Sequence, residues 1–283
     1  MIPLILSILR HSKGMYYLRP MQSRPYSYLF SISYFGARYK GWAPQPNQPT
    51  VQRRIERVIG HVLGHTDFSL IGASRTDSGV SCKQGYFQLF LKEGVNFKNL
   101  LEELNTFLPE DIRILDAKEV PFNFNLIGSV GEKTYRYYFS KDPKFHPFAS
   151  ALVTMVNFDL DQENMSKAAQ LFVGEHDFWT FCKPSPQKTK YTREVLSAAV
   201  HRSNETFGPF PPDDVFYFEV TGKGFLHHQV RKMMTAIWEV GSGNWQLNDI
   251  TERLEQPREE WEQIPPAPAN GLILWETVLK SEG

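Results

Sequence analysis

The sequence predicts an α+β fold built on a mostly antiparallel sheet, and two patterns carry this prediction. Segments with the two-residue alternation of strands are interleaved with segments that carry the apolar stripe of a helix. The order strand, helix, strand, helix, strand also occurs once in each half of the chain. The 283 residues are 41% hydrophobic and 22% charged, an ordinary globular composition that allows one large or two small domains. We place a soft boundary near residue 120, between halves 26–120 and 121–283.

In the first half, the strand over 29–35 is predicted because apolar residues alternate there with serines. The next helix is predicted to begin after Thr50, a common helix N-cap, and to end at Gly64. An apolar strand precedes the polar loop at 72–80. The remaining predicted elements are a strand over 86–91 and a helix over 97–108 that Pro109 ends.

The second half repeats the alternation of element types. Helices are predicted where apolar residues return every three or four positions, and each is followed by glycine or proline. The predicted strands cover 134–140, 194–202, 215–221 and 272–278, and the predicted helices cover 165–174, 226–241 and 250–256.

The charges balance overall but are unevenly distributed. There are 31 basic and 31 acidic residues, yet the first acidic residue is Glu56, and eight basic residues precede it. A local basic patch is therefore compatible with nucleic-acid binding despite a net charge of zero. We interpret residues 1–25 as a disordered leader or a mis-assigned start, which places the protein in the cytoplasm. The alternative is a transit peptide, because the leader lacks acidic residues and contains arginine and serine, and this would place the protein in the mitochondrial matrix.

Several function classes lose their usual markers. The chain has two cysteines, Cys82 and Cys182, which lie far apart in the sequence. They do not indicate a disulfide framework or a zinc site. No apolar run is long enough to cross a membrane. The sequence also lacks the phosphate-binding, dinucleotide-binding, zinc-hydrolase and serine-hydrolase motifs. We therefore expect no metal, no cofactor and no membrane partner.

Two segments could carry chemistry in the first 140 residues. The polar loop at 72–80 contains Arg75 and Asp77, which can point into the same space, and an arginine beside a carboxylate keeps it ionised. Tyr135 and Tyr137 share one face of a predicted strand and could stack on a base. Considered alone, the commoner explanations are a surface ion pair and cross-strand tyrosine packing.

Two further segments lie in the second half. His227 and His228 are adjacent, so on the predicted helix they diverge by about 100° and are not expected to chelate one metal. Arg231 lies off the buried stripe and can reach a cleft. The other segment is a basic stretch suited to phosphate contacts, although solvated side chains are the ordinary explanation. Its proposed RNA-binding residues are Lys183, Lys188, Lys190 and Arg193.

Taken together, these segments resemble the tRNA pseudouridine synthase A family, in order from about Tyr26 to Val278. Six blocks carry the resemblance, and six in order are far more specific than one. They are YFG, GW, QPN and TVQ between 34 and 52, RTDSGV at 75–80, YRY at 135–137, GEHDF at 174–178 with Phe181 and Arg193, FLHHQVR at 225–231, and APANGL at 267–272. Departures at Ser74, at Ser81 with Cys82, and at Ile127 indicate a divergent member.

The resemblance implies the pseudouridine synthase fold: two ferredoxin-like-type α/β halves with mostly antiparallel sheets flanking a central RNA-binding cleft. It implies a homodimer that isomerises uridine to pseudouridine in tRNA, in the anticodon stem-loop region, without a cofactor or metal. Asp77 would be catalytic. By the same resemblance, Arg231 would pair with Asp77 and Tyr135 would stack on the base. Arg75 would fill the gap left by the flipped base, Leu272 would line the uracil pocket, and His227 would bind RNA.

Two alternatives remain at this point. A non-catalytic tRNA-binding or RNA-folding protein could retain the fold, although the retained Arg75, Asp77, Tyr135 and Arg231 argue against it. A nucleoside glycosidase would share the carboxylate chemistry but would normally need a second carboxylate as acid, and the motifs contain none.

Overall fold

The computed structural model describes residues 24–185, 190–206, 210–257 and 261–280. Within these ranges the secondary structure is mixed, as predicted, and the strands form one extended sheet. The strands are β1 (Tyr26–Tyr34), β2 (Phe68–Gly72), β3 (Ser81–Leu91), β4 (Ile112–Val120), β5 (Val130–Ser140), β6 (Thr154–Met155), β7 (Gly174–Asp177), β8 (Thr192–Arg202), β9 (Val215–Gly222) and β10 (Leu272–Leu279).

The helices lie between these strands in the chain. None of those in the described ranges is both long and apolar enough to cross a membrane. They are α1 (Val51–Leu63), α2 (Phe97–Phe107), the single turn α3 (Leu126–Ser129), α4 (Gln162–Gln170), α5 (Gln229–Gly241) and α6 (Leu247–Glu255), with 3-10 turns at Gly36–Arg38 and Pro147–Ala151.

The sheet has the order β4-β1-β3-β10-β5-β9-β8-β7, with β2 on β3 and β6 on β5. The β10–β3 and β5–β6 pairs are parallel, and the other pairings of described strands are antiparallel. The last strand therefore lies between strands from both halves and makes the sheet continuous. The domain division near residue 120 stays a prediction.

The two largest apolar clusters of the described residues pack on the sheet, one for each half. The first joins α1 and α2 to β1 and β3, and the second joins α4, α5 and α6 to β5, β8 and β9. Tyr135 on β5 packs against both clusters. It therefore marks the place where the halves meet.

Most predicted elements are present, and the differences have local causes. Helix α1 has the predicted bounds, and Gly64 adopts the left-handed conformation that ends it, but Thr50 makes no side-chain cap hydrogen bond. Helix α4 ends at Gln170 rather than near Gly174, because Gly174 already begins β7 with φ 117°. Helix α5 begins at Gln229 rather than at Leu226.

Candidate functional site

Asp77 lies on the loop between β2 and β3, and its backbone is held on both sides. The buried Thr76 accepts a hydrogen bond from the Trp42 amide at 3.1 Å, and its hydroxyl meets the Tyr34 hydroxyl at 2.7 Å. The Asp77 carbonyl accepts from the Val80 amide at 3.2 Å. The carboxylate is thus carried by a loop with little freedom to move.

Two glycines allow the segment after β1 to pack directly against this loop. A Cβ on Gly36 would lie 2.0 Å from the Val80 carbonyl oxygen, a separation too short for any side chain at this position. Gly41 has φ +90°, and a Cβ there would lie 2.7 Å from the Thr76 carbonyl oxygen. This close backbone approach gives the glycines of the 34–52 block a structural reason.

Arg231 is the arginine that faces Asp77. Its Nη1 lies 3.4 Å from Asp77 Oδ2, and its Nε donates to the Ala267 carbonyl at 2.6 Å. The two side chains are only 13% and 15% exposed, so the pair is shielded from solvent. Arg75 is exposed and forms no hydrogen bond or ion pair with another described residue, so the arginine beside this carboxylate is not the one in the same loop.

Both histidines also reach Asp77, and the prediction that they diverge on a helix is wrong. His228 precedes α5 with a left-handed φ of 64°, so both histidines lie in a turn rather than on a helix. His227 Nε2 lies 3.4 Å from Asp77 Oδ1, and His228 Nε2 lies 3.6 Å from Oδ2. With Asp77 they form the group of ligand atoms, all within 4.8 Å of one another, that could hold a metal ion.

The pKa of His228 is lowered to about 4, chiefly by burial; Asp77 opposes this lowering, and the nearby His227, Arg231 and Lys183 add to it. Its imidazole is therefore neutral at pH 7. The His228 ring therefore contributes a neutral polar edge beside the Asp77 carboxylate.

Tyr135 supplies an aromatic wall beside this group. Its ring packs edge-to-face on Phe225, with centroids 5.3 Å apart. Burial raises the pKa of Tyr135 well above its ordinary value, and the nearby Asp77 carboxylate contributes in the same direction, so the phenol is protonated at neutral pH. Leu272 begins β10, is buried and pairs with Tyr137, whose hydroxyl donates to the Pro268 carbonyl at 2.7 Å. Tyr137 is therefore a packing residue.

The predicted basic stretch begins beside the site. The Lys183 amide donates to the His227 carbonyl at 2.9 Å, and the side chains of Lys183 and Lys190 are exposed. Lys188 lies outside the described residues. Arg193 is on β8, where its Nη1 donates to the Thr192 carbonyl and burial lowers its pKa.

Sequence reasoning missed two supports of the Asp77 loop. Lys133 donates to the Ala73 carbonyl at 3.0 Å, and burial lowers its pKa to about 8. The sequence placed Tyr34 on one face of a strand, but it did not predict the hydrogen bond between the Tyr34 and Thr76 hydroxyls. Neither contact has a local sequence signal, because each joins segments more than 40 residues apart.

Known proteins resemble this chain along most of its length. A family model described as tRNA pseudouridine synthase matches residues 168–278. The chain is 34% identical over 249 residues to tRNA pseudouridine synthase A of Bacillus sp. (strain KSM-64), which covers 88% of this chain and 97% of the relative. It is 33% identical over 249 residues to the protein of the same name from Acetivibrio thermocellus, covering 87% and 96%.

Proposed function

Because this chain belongs to the tRNA pseudouridine synthase A family, and so isomerises uridine to pseudouridine in tRNA, we propose that Asp77 is the residue that carries the reaction. The observation that supports this role is the convergence of Arg231, His227 and His228 on the Asp77 carboxylate. Asp77 is also the carboxylate of the RTDSGV block.

The reaction breaks the C1′–N1 bond, turns the uracil and joins C5 to C1′. A carboxylate at this centre either attacks C1′ or removes the 2′ proton, and both routes need it ionised. N1 gains a proton and C5 loses one, so the isomerisation is balanced without a co-reactant. Arg231 supplies the positive charge that orients the Asp77 carboxylate.

The other site residues have supporting roles in this proposal. Tyr135 stacks on the uracil and is placed to help remove the C5 proton. Leu272 lines the uracil pocket. The exposed Arg75 fills the gap left by the flipped base or contacts a phosphate. The residues that bind the RNA in this proposal are Lys183, Lys188, Lys190, Arg193 and His227.

Asp77→Asn tests the assignment, because it removes the charge while nearly keeping the shape. We expect no pseudouridine in tRNA incubated with the variant, and tRNA affinity within a few-fold of the parent, since phosphate contacts supply most of the affinity. Sustained turnover by the purified variant would refute the role of Asp77. A primary isotope effect with 2′-deuterated uridine would distinguish proton removal from attack at C1′.

The substrate region and the assembly are finer proposals. We propose that uridines of the anticodon stem-loop region are modified by a homodimer on which one tRNA spans both subunits, in the cytoplasm. Mapping pseudouridine in total tRNA tests the region, and the molar mass in solution tests the dimer. A reporter fused to residues 1–24 that entered mitochondria would favour the transit-peptide alternative.

A further inference from the structure

The contacts between Asp77 and the two histidines have an unusual length. Hydrogen bonds between an imidazole and a carboxylate are about 2.7–3.2 Å long. The distances here are 3.4 Å for His227 and 3.6 Å for His228. Ligand atoms that bind one tetrahedral Zn²⁺ at about 2.0–2.1 Å lie about 3.4 Å apart. The spacing is thus too long for direct hydrogen bonds and close to that of two ligands sharing a cation.

We propose that Asp77, His227 and His228 form a binding site for a divalent transition metal such as Zn²⁺, and that its occupancy inhibits the enzyme. The three ligand atoms lie within 4.8 Å of one another, so a small contraction completes a three-ligand set. A water molecule would provide the fourth ligand, as in other zinc sites with three protein ligands.

The turn before α5 is held in the shape that aims both rings at Asp77. Gln229 is 1% exposed, and its side-chain oxygen accepts from the Leu226 amide at 2.8 Å. The His227 carbonyl accepts from the Lys183 amide, and His228 has a left-handed backbone. The two histidines are therefore held on one side of the turn, so these two ligands are already positioned before a metal ion binds.

The ligand chemistry sets the selectivity of this site. Two imidazoles and one carboxylate suit zinc and its neighbours, whereas Mg²⁺ prefers oxygen ligands and keeps its water. Magnesium needed by the tRNA would therefore not compete. Arg231 and His228 both approach Asp77 Oδ2, whereas His227 approaches Oδ1. A cation held by Oδ1 and the two imidazoles requires the His228 ring to move towards Oδ1, and it leaves Oδ2 to the guanidinium.

Inhibition follows from the carboxylate that the metal occupies, and this part rests on the proposed function of Asp77. A carboxylate that coordinates zinc can neither attack C1′ nor accept the 2′ proton. Chelators are then expected to leave the activity of the metal-free enzyme unchanged and to restore it after zinc addition, provided that spermidine maintains the tRNA fold.

Binding is measured on the full chain without RNA, so it does not depend on activity. Zinc titration by calorimetry and the visible spectrum of bound Co²⁺ should show one tetrahedral site. His227→Ala, His228→Ala and Asp77→Asn should each weaken zinc binding by at least about tenfold. His65→Ala, which removes an exposed histidine elsewhere, should bind as the parent does. Equal zinc affinity in the parent and in the three site variants would overturn the site.

The activity arm separates the two proposals. Zinc should inhibit the parent at the concentrations that fill the site, and EDTA should reverse the inhibition, whereas added Mg²⁺ should not inhibit. Zinc that fills the site without lowering the rate would overturn the inhibition and count against the assigned role of Asp77. An inactive Asp77→Asn variant together with a parent that binds no zinc would keep the function and overturn the metal site.

Discussion

Two adjacent loops contribute to the site, and they are held in different ways. The Asp77 loop, residues 73–80, has its backbone fixed by Trp42 and its hydroxyl at Thr76 fixed by Tyr34. The basic loop, described at residues 183–185 and 190–191, is held by fewer contacts to its surroundings: the Lys183 amide donates to the His227 carbonyl, and the Tyr191 carbonyl accepts from the Phe178 amide. The Tyr191 hydroxyl bonds Ser185, within the loop itself. Its described lysines point to solvent.

The difference follows from what each loop is proposed to do. A carboxylate that acts at one carbon atom must be placed within a fraction of an ångström, and this requires surrounding contacts. A lysine that contacts a phosphate acts through its charge and tolerates several positions. We therefore expect changes around the Asp77 loop to affect the rate or stability, and changes in the basic loop to affect RNA affinity and its salt dependence.

Among the variants that retain Asp77, Arg231→Ala is expected to have the largest effect. It removes the guanidinium that faces Asp77 and its bond to the Ala267 carbonyl. The single-turnover rate should fall by about 10²-fold or more, as for loss of a preorganised charge-assisted contact, while tRNA affinity stays near that of the parent. Arg231→Lys keeps the charge, so its single-turnover rate should lie between those of the parent and Arg231→Ala. If affinity fell as far as the rate, Arg231 would be an RNA contact rather than the partner of Asp77.

Gly41→Ala tests the rigidity of the Asp77 loop. The new Cβ would be strained at φ +90° and would lie 2.7 Å from the Thr76 carbonyl oxygen. We expect about 2 kcal/mol of stability to be lost, from strain and crowding together, measured by denaturant unfolding. Gly64→Ala is the matched control, because Gly64 has φ +72° but no atom within 4 Å of the added Cβ. An equal loss in both variants would show that close packing on the loop adds nothing.

Much of the fold could be predicted because periodicity is a local property. Helix α1 and strands β8 and β9 have strong patterns and lie where expected. Strand β4 was missed because a bulge in its pairing with β1 interrupts the alternation, leaving Ile114 and Ala117 buried on the same face three residues apart. Strand β7 was missed because it is four residues long and mostly polar.

The site shows where sequence reasoning stops. Motifs singled out Asp77 and Arg231, which lie 154 positions apart and meet in the structure. The turn at His227 and His228 was predicted as helix because the apolar stripe continues through Leu226. Its shape depends on the buried Gln229 side chain, which accepts from the Leu226 amide; this local side-chain contact is not encoded in hydrophobic periodicity.

His228 connects the two loops, because Lys183 is one of the charges that lower its pKa. Its folded-state pKa of about 4 is below the ordinary 6.5, so the unfolded chain binds the proton first as the pH falls. The stability from neutral His228 is present above pH 6.5 and is lost between pH 6.5 and 4. After discounting for solvent screening we expect about 1 kcal/mol. His228→Gln should flatten this part of the stability profile, whereas His65→Gln should not.

Replacing Lys183 and Lys190 by Ala tests the basic loop, with a small expected effect. Both side chains are exposed, so stability and the choice of uridine should stay unchanged. Each lost phosphate contact should flatten the log–log salt dependence of tRNA affinity by about 0.7–0.9. The double variant should therefore bind worst relative to the parent at low salt and converge with it as salt rises.

The matched control for this double variant is Lys92→Ala, an exposed lysine that pairs with Asp67 away from the site. Including Lys188 in a triple variant should flatten the slope by one further contact if that residue also reaches a phosphate. Arg193→Ala should lower stability as well as RNA affinity, because its half-buried side chain also bonds the backbone of β8. An unchanged salt slope in the double variant, with the single-turnover rate also unchanged, would mean that the described lysines are only solvated, and RNA affinity would have to come from other basic residues.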